Sequence, residues 1–187
     1  ESTGHVCVRL FDRAGDLAVA VGDVPCGEDR SSGACRFGFQ HLDADLAATR
    51  LFDEDIAVFV NNGYGNFGTR EYYQSQTSIS RIVAADFNED GSPDLATSHH
   101  YSDRVCVFLN KGDGTFPNPI YDGVGWSPES VISADFDDDE SIDLAVANYE
   151  SHDIMVLKNQ GDGSFADTVR YLKKELVKKG VKQLEEV

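Results

Sequence analysis

The chain has 187 residues, with 33 acidic against 16 basic side chains and a formal net charge of −17. That balance makes nucleic acid and anionic membrane poor partners on electrostatic grounds. Hydrophobic residues make up 41% and aromatic residues 10%, which suits a packed interior and argues against wholesale disorder, and no run of about 18 apolar residues is present to span a membrane.

From the N-terminus, Val6-Cys7-Val8-Arg9-Leu10 reads as a strand, residues 10–16 as its turn, and Leu17-Ala18-Val19-Ala20-Val21 as the fourth strand of an incomplete repeat over residues 1–28. The chain opens at Glu1 with neither an initiator Met nor a signal-peptide pattern, which leaves a mature form and a fragment both open. Cys7, Cys26, Cys35 and Cys106 lack zinc-knuckle and CxxC spacing. Cys26 and Cys35 flank a polar loop and read either as a disulfide or as two free small hydrophobic residues.

Beyond this point the chain repeats itself. Asp45-Leu46-Ala47, Asp94-Leu95-Ala96 and Asp143-Leu144-Ala145 recur at an offset of 49, as do Asn61, Asn110 and Asn159. Three further series keep the same step: Gly63, Gly112, Gly161; Gly65, Gly114, Gly163; and Phe67, Phe116, Phe165. The repeats cover residues 29–77, 78–126 and 127–171. In the second, Ile79–Ala85, Asp94–Ser98, Val105–Leu109 and Phe116–Tyr121 read as four short strands, with a hairpin turn at Asn110-Lys111-Gly112-Asp113-Gly114. Four strands per repeat predict an all-β protein of antiparallel propeller-like blades, partial or incomplete at this blade number. Residues 172–187 differ in composition. Apolar residues at roughly helical spacing among lysines, from residue 169 to residue 186, predict a short helix or tail packed on a sheet edge.

The sharpest chemistry lies in two loops. Asp86, Asn88, Asp90, Ser92 and Asp94 occupy positions 1, 3, 5, 7 and 9 of one, and Asp135, Asp137, Asp139, Ser141 and Asp143 the same positions of the other. Hard dications take six to eight oxygen ligands, roughly, and alternate positions of a tight loop can converge on one ion while Phe87 turns into the core. Gly91 permits a sharp turn at position 6, where Glu140 stands in the second loop and would be strained, which predicts weaker or less regular cation binding there. The matching stretch of the first repeat keeps only Asp45, which predicts no site there. An EF-hand needs Glu at position 12, where Thr97 and Val146 stand. Paired glycosidase carboxylates and a Ser-His-Asp hydrolase find no supporting context. His99 and His100 read as a surface-loop pair.

The segment from Asp86 to Ala96, followed by Val105-Cys106-Val107-Phe108-Leu109-Asn110-Lys111-Gly112-Asp113-Gly114-Thr115-Phe116, resembles the FG-GAP/VCBS repeat of integrin α-chain propellers and bacterial surface proteins. The resemblance is strong over residues 78–126 and 127–171, partial over 29–77, and faint over 5–28. It implies a propeller with structural Ca2+ held by the ten loop residues named above. It also implies a secreted or cell-surface protein that serves recognition or adhesion and is not an enzyme. Its partner would be a protein or glycan, and copies would have blade edges available for self-association. The alternative is a glycan-binding accessory domain of a secreted polysaccharide-degrading enzyme.

Overall fold

The computed structural model describes residues 10–11, 17–21, 45–50, 54–61, 66–75 and 77–172. Among them there is no helix, and every strand pairing is antiparallel. A five-stranded sheet holds β1 (Leu10–Phe11), β2 (Leu17–Val21), β3 (Asp45–Arg50), β4 (Asp55–Asn61) and β5 (Phe67–Gln74) in sequence order. A second sheet holds β6 (Arg81–Ala85), β7 (Asp94–His99), β8 (Arg104–Phe108) and β9 (Ile120–Gly123). A third holds β10 (Pro128–Ala134), β11 (Asp143–Asn148), β12 (Asp153–Asn159) and β13 (Phe165–Leu172). None of the three closes on itself.

The sequence period is a structural period. Val21 faces Asp45, Ala85 faces Asp94 and Ala134 faces Asp143, so the recurring Asp opens the second strand of each four-stranded unit in the same register. Glu54, Asp103 and His152, each one residue before the following strand, all take left-handed backbone near φ 57°, 55° and 51°. Packing between sheets repeats as well. A Cβ built on Gly114 would come within 3.0 Å of Val60, and one on Gly163 within 2.7 Å of Leu109, each pair displaced by one repeat. The hairpin turn of one sheet therefore rests on the end of the preceding sheet, and only glycine allows that approach.

The middle sheet explains its own apolar runs. Leu95, Cys106 and Phe108 point into a core shared with Ala47, Ile56 and Val58 of the first sheet. Ala96, Val105 and Val107 point the other way, into a core shared with Leu144, Val146 and Leu157 of the third. A sheet buried on both faces has no need of alternating polarity, so Val105–Phe108 is continuously hydrophobic. Cys106 is free and buried, and burial pushes its thiol up to about 12.

Four expectations are corrected. Leu17–Val21 does not end an earlier repeat; it pairs with β3 and holds the position that β6 holds beside β7. Val169–Leu172 belong to β13, paired with β12, because Val156 and Ile154 offer them a ladder that an isolated amphipathic helix lacks. The rest of the proposed tail, residues 173–187, lies outside the described residues, as do Cys7, Cys26 and Cys35. The fourth strand of the second sheet starts at Ile120 and not at Phe116, whose ring packs edge-on against Tyr73 of the first sheet instead. His99 is no surface residue: it is 1% exposed, at the end of β7, with Nε2 2.8 Å from Thr97 Oγ1 and Nδ1 3.0 Å from Thr77 Oγ1.

Candidate functional site

Both acidic loops connect the first two strands of a sheet, β6 to β7 and β10 to β11, and both fold around their first carboxylate. Asp86 accepts from the Asp90 and Gly91 N–H groups at 3.1 and 2.8 Å. Asp135 accepts from Asp137, Asp138 and Asp139 on Oδ1 and from Glu140 on Oδ2, at 2.7 to 3.3 Å. Desolvation raises the Asp135 pKa, but these N–H groups together lower it below the usual carboxylate range. Asp90 is likewise held low, first by the Ser92 N–H and then by the Asn88 side chain. Position 6 has left-handed backbone in both loops, φ 87° at Gly91 and 75° at Glu140. The expected strain at Glu140 is therefore present, and the loop keeps its form despite it.

The ninth position has a separate task. Asp94, fully buried, accepts from Phe87 N at 2.9 Å and from Asn110 N at 2.7 Å. Asp143 does the same with Phe136 N at 3.0 Å and Asn159 N at 2.9 Å. Each carboxylate thus ties its loop to the hairpin turn of its own sheet. The recurring Asn completes the clip. Asn110 donates to Pro93 O and accepts from Gly112 N and Gly114 N. Asn159 donates to Ile142 O at 3.0 Å and to Phe87 O at 2.7 Å, so it also reaches the loop of the neighbouring sheet. Ser141 Oγ donates to Glu89 Oε1 at 3.1 Å across the same boundary. The asparagines stand out in sequence as periodic residues; their role as clips needed the tertiary structure to show it.

Of the ten expected ligands, the structure brings Asp135, Asp137 and Asp143 together. Their ligand oxygens all lie within 4.8 Å of one another, the one acidic group that close among the described residues. Asp139 instead caps Ser141 N at 2.9 Å. In the other loop, Asn88 Nδ2 donates to Asp90 Oδ2 at 2.9 Å, and the carboxylates of Asp86, Asp90 and Asp94 face backbone N–H groups. Three convergent carboxylates are a hard-oxygen donor set that fits a dication such as Ca2+. Lys158 Nζ stands 2.6 Å from Asp137 Oδ2 and offsets part of the negative charge. In the first repeat, Asp45 is described but residues 37–44 are not. The Phe87 side chain turns inward as expected and is 0% exposed, packed edge-on with Phe165.

At the far ends of the same strands, three turns present a different surface, with Tyr101, Trp126 and Tyr149 exposed. His100, beside Tyr101, pairs through Nδ1 with Glu129 Oε1 at 2.7 Å.

These features define a chain of stacked antiparallel β-sheets with periodic acidic loops. No family model matches the chain, and no curated protein matches it. Among solved structures it is similar to an Agrocybe aegerita lectin that specifically recognises non-reducing terminal N-acetylglucosamine. The TM-score is 0.52 at 22% identity, over 71% of this chain and 35% of the lectin chain. This chain thus spans about a third of that lectin's length, and the likeness is one of fold.

Proposed function

We propose that this chain is a carbohydrate-recognising module of the FG-GAP/VCBS kind, braced by structural Ca2+ and acting outside the cell or on its surface. It binds and does not catalyse. The three sheets are successive blades of a propeller, and the dications pin the connection between the first two strands of a blade. The observation that carries this reading is the convergence of Asp135, Asp137 and Asp143 in a loop whose five-position pattern recurs one repeat earlier. The lectin likeness in fold supports carbohydrate as the ligand class. A glycan array probed with calcium-loaded protein tests it: neutral glycans, those ending in N-acetylglucosamine first, are bound, and EDTA weakens that binding. Retention of no glycan at all contradicts the carbohydrate reading.

The cation would be held by Asp135, Asp137, Asp139, Ser141 and Asp143 in one loop and by Asp86, Asn88, Asp90, Ser92 and Asp94 in the other. It would cancel carboxylate repulsion and fix the loop that Asp94 or Asp143 ties to its hairpin. Its effect depends on pH with a definite sign. Burial, opposed by the Asn110 and Phe87 N–H groups and aided by Asp90 and Asp86, pushes the Asp94 carboxyl up from 3.8 to about 6. A raised carboxyl favours the fold when protonated, so that contribution is full below the unfolded pKa and fades as pH rises through about 6. A dication needs the ionised form and reverses the trend. The calcium-induced rise in melting temperature is therefore larger near pH 7 than near pH 5, as thermal melts at the two pH values would show. An equal rise at both contradicts the assignment of Asp94.

A further inference from the structure

We propose that the turns opposite the acidic loops form the saccharide-binding surface, with Trp126 and Tyr149 as the platform for the apolar face of a neutral pyranose and Tyr101 at its rim. This rests on the carbohydrate reading and adds its place. Tyr101, Trp126 and Tyr149 are 80%, 64% and 59% exposed, the three most exposed large hydrophobic side chains among the described residues. They come from three different segments: the β7–β8 turn, the β9–β10 connection and the β11–β12 turn.

Backbone bonds stitch those segments together. Trp126 N donates to Ser151 Oγ at 2.9 Å, Glu150 N to Trp126 O at 3.2 Å, and Tyr149 N to Ser127 O at 2.8 Å. Ser127 N donates to Asp103 Oδ1 at 2.9 Å, and Val124 N to Asp103 O at 3.0 Å. The backbone that carries the aromatic residues is thus held by hydrogen bonds at the junction of the second and third sheets.

The floor is equally specific. A Cβ on Gly125 would fall 2.4 Å from Ser151 Oγ and 2.6 Å from Asn148 Nδ2, so the backbone there lies directly on those side chains. Asn148 is 3% exposed; its amide donates to Asp153 Oδ1 at 2.8 Å, while its Oδ1 is a buried acceptor without a hydrogen-bond partner.

The chemistry around the rings selects the ligand. His100 packs edge-on against Tyr101 and pairs with Glu129, and His152 packs edge-on against Tyr149, whereas the core of a protein interface is depleted of charge. The net charge of −17 disfavours anionic ligands. A neutral sugar offers both a C–H face for aromatic rings and hydroxyls for the surrounding acceptors.

Trp126 is the single tryptophan of the chain, so its fluorescence reports on this surface alone. The 187-residue chain, incubated with calcium, is titrated with a trisaccharide of N-acetylglucosamine, following tryptophan emission, and calorimetry gives the affinity. A saturable emission change is expected. Trp126→Ala weakens binding at least about tenfold, as a central aromatic contact does, and Tyr149→Ala also weakens it. Tyr72→Ala, on an exposed strand outside the surface, leaves the affinity unchanged, and all three variants retain the parent melting temperature. Saccharide binding with steady emission and undiminished affinity in both patch variants overturns the placement while the carbohydrate reading stands. If the parent protein binds no glycan, the underlying reading fails and the placement with it. Loss of concentration-dependent self-association on Trp126→Ala, without glycan binding, would identify the surface as a contact between copies and would overturn the proposal.

Discussion

Stripping divalent cations with EDTA lowers the thermal midpoint of this protein by about 10 °C, and calcium restores it. A ligand bound only by the folded state at a hundred times its Kd contributes about 2.7 kcal/mol. For a chain of this size each kcal/mol moves the midpoint by roughly 2–4 °C, so one occupied loop accounts for about 5–11 °C. The direction follows from Asp135, Asp137 and Asp143, whose ligand oxygens lie within 4.8 Å of one another, with Lys158 paired to Asp137. A bound dication would take these carboxylates as its coordination set and so favour the folded state. Differential scanning calorimetry with and without chelator measures the shift, and superimposable curves contradict the role given to the loops.

Asp143→Ala destabilises the protein by about 2–6 kcal/mol even in EDTA, because its carboxylate has a second task that needs no metal. It is fully buried and accepts from Phe136 N at 3.0 Å and Asn159 N at 2.9 Å. Removing it orphans two backbone donors, each costing about 1–3 kcal/mol when left buried without a partner. Asp143→Asn keeps one acceptor oxygen and recovers part of the loss. The comparison, by urea denaturation in chelator, separates the clip from the cation: a ligand-only Asp143 would leave stability in EDTA unchanged in both variants.

Much of the fold was legible because the period survives in residues with strict backbone duties. Gly114 and Gly163 must approach the preceding sheet, and Asn110 and Asn159 must cap the same turn, so both series mark the repeat. Leu17–Val21 was misread because residues 22–44 separate it from its partner strand, whereas only residues 86–93 separate β6 from β7; the longer connection hid the repeat. Val169–Leu172 combine apolar spacing with nearby lysines, and only the register with β12 decides their conformation. His99 looked like half of an exposed pair because its hydroxyl partners Thr77 and Thr97 are not visible as partners in a linear reading. The aromatic surface left no periodic trace. One repeat beyond His100 lies Tyr149, and one beyond Tyr101 lies Glu150, so each turn contributes its ring from a different position.

Within the acidic loops, the alternating oxygen-donor pattern was readable but the division of labour was not. Position 9 is at once a proposed ligand and the fastener to the hairpin, and Asn159 extends that fastening to Phe87 O in the adjacent loop. The residues proposed to bind the cation are therefore also those that fasten the sheets to one another.

The most direct measurement is an isothermal titration of chelator-stripped full chain with calcium chloride. Saturable binding is expected, with Asp135→Ala abolishing the site of one loop and Asp86→Ala that of the other. A flat titration at millimolar calcium, from protein that remains folded, would contradict it.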